Sequence, residues 1–353
     1  MTPQRTATGT TTALPAPVGE SAEARLEEAV RAVDAPDVVF AFSRNGRRTV
    51  RCGGTRPSPP VPRELLRYEI GSASKTFTGL LLAHLVANGR VSGGDPAAAH
   101  LTTGRRSAGP AGITLMHLIT HTSGLPPLPP GFRRQALPRW STNPYAGYPS
   151  ERVVQAFLDS DPRHRPGSRW RYSNFGVATL GHALAAATAT PWEELLAGEL
   201  LHPLGLTGTA LSPGGPDHDA VGHRADGTTP TPPLLIGGFQ AAGAVRAVPH
   251  DLLTFLEAHL RPEGRPPADA LRTVRRPVLR RGLGHRHEHT LTWFRHPTPH
   301  GEMYFHSGAT SGQQAFLGFR PATGTALAAL STRRYHRRDT LVPTAYGLLA
   351  DTG

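Results

Sequence analysis

The sequence predicts a mixed α/β fold of the α+β kind, with one antiparallel sheet built from both ends of the chain, flanking terminal helices and an inserted all-helical subdomain. Two groups of strand-like runs carry that prediction. One lies before residue 85 and contains an Asn45-Gly46 turn; the other lies after residue 290. Between about 86 and 240 the strand signals fade, and short helical patterns, prolines and loops replace them.

Residues 1–19 are rich in Thr, Ala and Pro and read as a flexible leader before a single domain over 20–353. From Ser21, the apolar positions Leu26, Ala29, Val30 and Val33 recur at i, i+3, i+4 and i+7, an amphipathic helix ending near Asp34 and Pro36. The runs 38–42 and 49–52 flank Asn45-Gly46 as a hairpin. The stretch Tyr68-Glu69-Ile70-Gly71-Ser72-Ala73-Ser74-Lys75 then opens an apolar helix through Phe77, Leu80, Leu81 and Leu85.

Further helices are expected over 113–121, 151–158, 177–187 and 192–200, closed in turn by Thr122-Ser123-Gly124 and by Pro203-Leu204-Gly205-Leu206. Residues 212–238, rich in Gly, Pro and Thr, read as a loop over a cleft. A helix starts at Asp251, strands return at 291–294, 303–306, 315–319 and 326–330, and a last helix spans 343–350. The sheet subdomain therefore takes about 20–85 and 241–353, the helical one about 86–240, with the cleft at their junction.

Composition narrows the function. The net charge of +12 comes from arginines scattered along the chain, with no basic helix or aromatic-interleaved strip, which argues against nucleic-acid binding. One cysteine, Cys52, excludes an internal disulfide and a multi-cysteine metal site. No apolar run reaches membrane-spanning length and no secretory signal is evident, so the expected address is cytoplasmic.

Lys75 is the chain's only lysine; every other strongly basic side chain is arginine. Arginine stays protonated in a protein, whereas a buried lysine lowers its pKa and can act as a base. Ser72 and Lys75 lie three residues apart at a helix start, where the amine can reach the hydroxyl. The bland alternative is a Ser72 N-cap followed by a solvated Lys75.

Two more clusters are candidates for the same cleft. Tyr172-Ser173-Asn174 precedes a helical run and offers a phenol for proton transfer and an amide for a carbonyl. His306-Ser307-Gly308 ends a strand, where backbone can bind substrate and glycine allows close approach. Singly, each could be an ordinary core, cap or strand residue.

In this order, S-x-x-K, Y-x-N and H-x-G resemble the superfamily of class C β-lactamases, D-alanyl-D-alanine carboxypeptidases and family VIII carboxylesterases, with a β-lactamase/transpeptidase-like fold. Leu118-Ile119-Thr120-His121-Thr122-Ser123-Gly124-Leu125-Pro126, Pro166-Gly167 and Ala242-Gly243-Ala244 extend the similarity over roughly 36–332. The resemblance implies Ser72 as acylated nucleophile, and Lys75 as its base, alone or with Tyr172. It implies Tyr172 as proton donor to the leaving group and Asn174 as the residue that orients Lys75 and the acyl side chain. His306, Ser307 and Gly308 would bind substrate, and the backbone N–H groups of Ser72 and Ala309 would form the oxyanion hole.

His306 replaces the lysine of β-lactamases, and a neutral imidazole is a poor partner for a β-lactam carboxylate. The expected reaction is therefore acyl transfer from an ester or amide, with small-molecule or peptide donor and acceptor, no cofactor and no metal. Water as acceptor makes an esterase or peptidase; an amine or alcohol makes an acyltransferase or peptide cyclase. Loops 127–149 and 212–238 are expected to select the acceptor. The other readings are a catalytically silent binding protein, disfavoured by the complete Ser72, Lys75 and Tyr172 set, and a metal hydrolase using His285, His287, His289, His296 and His300. Those histidines read instead as an exposed loop.

Overall fold

The computed structural model describes residues 22–102, 109–264, 267–281 and 287–351; the expected leader lies outside them. A helix over Ala22–Arg31 leads into β1 (Val38–Arg44), which turns at Asn45 (φ 52°) and Gly46 (φ 86°) into β2 (Arg47–Gly53). Two successive positive φ angles are what a type I′ turn requires, and the predicted hairpin pairs Arg44 with Arg47.

Three short strands, β3 (Tyr68–Glu69), β4 (Thr209–Ala210) and β5 (Arg246–Ala247), form a small sheet in the order β3-β5-β4. The C-terminal third supplies β6 (Leu279–Arg281), β7 (His287–His289), β8 (Phe294–Thr298), β9 (Gly301–Ala309), β10 (Gln314–Arg320) and β11 (Thr325–Ser331). Among the described residues these join the hairpin in an eight-stranded sheet ordered β2-β1-β11-β10-β9-β8-β7-β6, antiparallel at every pairing.

Strand periodicity divides the core. On one face Val38, Phe40, Phe42, Phe316 and Leu327 pack with Leu26 and Val30 and with Leu341, Ala345 and Leu349, joining the first helix to the last, Leu341–Asp351. On the other face Val39, Ala41, Leu317, Phe319 and Leu330 meet the helices Lys75–Ala87 and Pro249–Leu260. Phe77 and Phe255 stack there at 3.9 Å between ring centroids. From Lys75 to Ala83 this helix is buried all round, as expected of a helix sandwiched between the sheet and the helical region, and only its last turn reaches solvent.

Within the helical region, Asn174–Thr188 starts at an N-cap, Ser173, whose hydroxyl accepts from the Gly176 N–H at 2.8 Å and donates to the Pro126 carbonyl at 2.7 Å. This cap fixes the two residues beside it, Tyr172 and Asn174. Ser173→Ala should lower unfolding free energy by about 1–3 kcal/mol, measured by chemical denaturation.

Three expectations are corrected. Residues 291–294 are not a strand: Thr290 closes a turn, its N–H donating to the Trp293 carbonyl at 2.9 Å and its hydroxyl accepting from the Trp293 N–H at 3.0 Å, so extended pairing starts at Phe294. The Arg- and His-rich stretch is not simply an exposed loop, because β6 and β7 extend the sheet and His289 is buried against Trp170 and Phe294. The inserted region is not all-helical, since Thr209–Ala210 pairs with β5.

Candidate active site

β3 delivers the chain to Gly71, whose φ of +50° bends it into a 3-10 turn over Gly71–Ser74 that runs on into the helix Lys75–Ala87. The turn is held from behind. Ile70 N–H donates to the Val245 carbonyl at 3.1 Å, and Ser74 Oγ accepts from the Val245 N–H at 3.1 Å. The Glu69 carboxylate, also buried, accepts from the Leu234 N–H at 2.7 Å and lies 3.7 Å from the Arg246 guanidinium. Ser72 is left half-buried at the cleft floor.

One helical turn later the Lys75 amine is 1% exposed, 3.1 Å from Ser72 Oγ, and donates to the Ala242 carbonyl at 2.8 Å. Among the described residues no carboxylate offsets its burial, and desolvation lowers its pKa to about 7. The neutral amine keeps a lone pair for the serine proton. Tyr172 donates its hydroxyl to Ser72 Oγ at 2.6 Å, and its ring lies 5.0 Å from Lys75 Nζ. Burial raises the phenol to about 12, so it holds its proton at neutral pH. Ser72 therefore sits between an amine that accepts a proton and a phenol that supplies one.

His306 lies on β9 beside this group and is buried. Its Nδ1 donates to the Ser307 carbonyl at 2.6 Å, leaving Nε2 as the acceptor. Desolvation, then the nearby Lys75, push it down to about 3, so the ring is neutral. Gly308 brings β9 against the Ser72 turn: a Cβ there would lie 1.9 Å from the Ile70 carbonyl oxygen and 2.8 Å from the Ser72 nitrogen. The Gly71 turn also approaches Ala309 closely: a Cβ on Gly71 would lie 2.5 Å from the Ala309 carbonyl oxygen and 2.8 Å from its nitrogen. The amides of Ser72 and Ala309 thus belong to adjoining backbone segments at the cleft floor.

Asn174 departs from its expected role toward Lys75. Its amide donates to the Tyr145 hydroxyl at 2.9 Å, and the Ala242 carbonyl holds the lysine instead. The Asn174 carbonyl oxygen is buried, has no hydrogen-bond partner among the described residues and borders the cleft, placed to accept from a substrate N–H or O–H.

Two cavities meet at Ser72 and Ala309. One, of about 220 Å³, is walled by Trp140, Tyr145, Asn174, Leu234, Ile236 and Arg334. The other, of about 660 Å³, is bordered by Tyr172, Phe294, His306, Tyr335 and Arg337. Both loops expected to overhang the cleft reach the first cavity, through Trp140 and Tyr145 and through Leu234 and Ile236. Sequence reasoning missed the Ala242 carbonyl, the Tyr145 support and His121, whose Nδ1 accepts from the Ser173 N–H at 3.2 Å while its ring lies 4.6 Å from that of Tyr172. The His121-Thr122-Ser123-Gly124 phrase was the available signal for His121; a backbone carbonyl leaves none. Among the described residues no group of three or more His, Cys, Asp or Glu side chains can hold a metal ion, and His285 lies outside them. No described helix is long and apolar enough to cross a membrane.

Comparison with known proteins places these features in context. The family model described as Beta-lactamase matches residues 22–351. A Beta-lactamase of Pseudomonas fluorescens is 24% identical over 322 residues, covering 82% of this chain and 86% of that protein. The D-alanyl-D-alanine-carboxypeptidase/endopeptidase AmpH of Escherichia coli K12 is 28% identical over 212 residues, 59% of this chain and 53% of that one, so the match spans about half of AmpH. Among solved structures, a class C beta-lactamase superposes with a TM-score of 0.78 at 18% identity, covering 95% and 98% of the two chains. The Beta-Lactamase/D-Alanine Carboxypeptidase from Pseudomonas syringae gives 0.76 at 20% identity, covering 94% and 98%. At such identities the structural likeness establishes the fold.

Proposed function

We propose, from the premise that the chain belongs to the Beta-lactamase family of serine hydrolases, that Ser72 forms an acyl-enzyme with an ester or amide other than a β-lactam. The observation that carries this reading is the Ser72 hydroxyl held 3.1 Å from a buried lysine amine and 2.6 Å from a protonated phenol. Neutral Lys75 takes the serine proton as Oγ attacks the carbonyl carbon, and the N–H groups of Ser72 and Ala309 receive the developing oxyanion. As the intermediate collapses, Tyr172 gives its proton to the departing oxygen or nitrogen, and the Lys75 ammonium replaces it. The acyl group then leaves to water, or to an amine or alcohol, by the reverse of the same proton path.

The preference against β-lactams rests on His306. A buried imidazole held neutral supplies no fixed charge at the position where the resemblance leads one to expect lysine. The test is intact-protein mass spectrometry after incubation with p-nitrophenyl acetate and with a fluorophosphonate. A covalent adduct that maps to Ser72 and is absent from Ser72→Ala is the expected result. An adduct of equal yield on Ser72→Ala, or none on the unaltered protein, removes the acyl-enzyme reading. Hydrolysis of a cephalosporin at a kcat/KM matching that of the ester would remove the substrate preference alone. Product partitioning with added amines then separates hydrolase from transferase.

A further inference from the structure

We infer that Arg334 determines specificity by binding a carboxylate on the acyl group, so that the preferred donors are monoesters or monoamides of dicarboxylic acids. The inference rests on the acyl-enzyme reading and adds the substrate class to it. Tyr172 decides which cavity holds which half of the donor. The phenol that protonates the leaving group borders the larger cavity, so the acyl group occupies the smaller one.

Among the described residues Arg334 is the single charged side chain on the wall of that smaller cavity; its other walls are aromatic, aliphatic or neutral polar. The segment after β11 is pinned on both sides of this residue. Arg334 N–H donates to the His223 carbonyl at 2.8 Å. Arg333, next to it, is fully engaged, with its guanidinium on the Ala225 carbonyl at 2.9 and 2.6 Å and on the Asp34 carboxylate at 2.5 Å. The nearby Asp339 carboxylate is occupied by the Gln314 amide and the Leu341 N–H. Among the described residues no carboxylate lies within ion-pair distance of Arg334 and no hydrogen bond engages its guanidinium. A half-buried guanidinium on the wall of a cavity that holds no other charge, facing no acid among the described residues, has the fork geometry and charge for a ligand carboxylate.

The experiment compares p-nitrophenyl hexanoate with the p-nitrophenyl monoester of adipic acid, two acyl groups of equal chain length, on the full chain. The unaltered protein should favour the adipate by about 10- to 100-fold in kcat/KM, the range of a charge-assisted hydrogen bond. Arg334→Ala should bring the two esters to within about 3-fold while keeping hexanoate turnover, and Arg334→Lys should restore part of the preference. Arg338→Ala, on an exposed arginine of the same segment bordering neither cavity, should leave the preference intact and so exclude a general effect of the basic surface. Equal rates on both esters for the unaltered protein, or an adipate preference that survives Arg334→Ala, would overturn the assignment while leaving Ser72 acylation standing. If neither ester labels Ser72, the acyl-enzyme reading fails and the assignment falls with it.

Discussion

Lys75→Met should lower kcat/KM for p-nitrophenyl acetate by about 10²- to 10⁴-fold, the contribution expected of a positioned general base, while stabilising the fold. The two effects share one cause. Burial drops the Lys75 pKa from 10.5 to about 7, so the amine is available as a base near neutral pH. For the unaltered protein the rising limb of kcat/KM against pH should therefore centre near 7, and in the methionine variant it should vanish with the activity.

Stability follows with a definite sign. Between pH 7 and 10.5 the unfolded chain holds a proton on Lys75 that the folded chain does not, so unfolding free energy rises with pH across that window. Below pH 7 both states are protonated and the full desolvation penalty remains, roughly 5 kcal/mol at most for a shift of this size. Methionine has similar length and no charge, so it removes the slope and recovers a few kcal/mol near pH 7, less what the abandoned Ala242 carbonyl loses. Denaturation of both proteins at pH 7 and pH 9.5 reads this directly. Lys75→Arg is the companion variant: a permanently charged side chain in the same position should lose both acylation and stability. Near-normal turnover in either variant would exclude Lys75 as the base.

How far sequence reaches depends on whether local chemistry or remote packing decides a feature. The hairpin at Asn45-Gly46 is legible because its turn needs two residues that tolerate positive φ, and both are in the turn itself. The proximity of Ser72 to Lys75 is legible because one helical turn fixes it. Residues 291–294 mislead because an apolar Leu-Thr-Trp-Phe run is strand-like by propensity, yet the Thr290 hydroxyl closes a turn on Trp293. His289 misleads in the opposite sense: surrounded by arginine and histidine in sequence, it is buried by Trp170 from more than a hundred residues away. The Ala242 carbonyl that holds Lys75 and the Tyr145 hydroxyl that holds Asn174 arise only when separate segments converge.

Gly308→Ala should cost about 10²- to 10³-fold in kcat/KM without removing Ser72, Lys75 or Tyr172. Gly308 does not need to be glycine for its dihedral angles; it needs to be glycine for contact. A Cβ would fall 1.9 Å from the Ile70 carbonyl oxygen, 2.7 Å from the Ala73 nitrogen and 2.8 Å from the Ser72 nitrogen, all backbone atoms that no rotamer change can move aside. Either β9 or the Ser72 turn must then retreat. β9 is tied to β10 through the pairing of Gly308 with Ala315, and the turn is tied through Ile70 to Val245, so the two move apart instead of together. That displaces the Ala309 amide from the Ser72 amide, and each mispositioned oxyanion donor is worth about 10²- to 10³-fold. Gly347→Ala is the internal control: its Cβ would point into open space on the last helix, and it should leave turnover unchanged and add up to about 1 kcal/mol of stability. Circular dichroism establishes that both variants fold, and burst amplitudes with p-nitrophenyl acetate locate the loss in acylation. A Gly308→Ala variant that folds and acylates within tenfold of the unaltered rate would show that the two amides do not share the oxyanion.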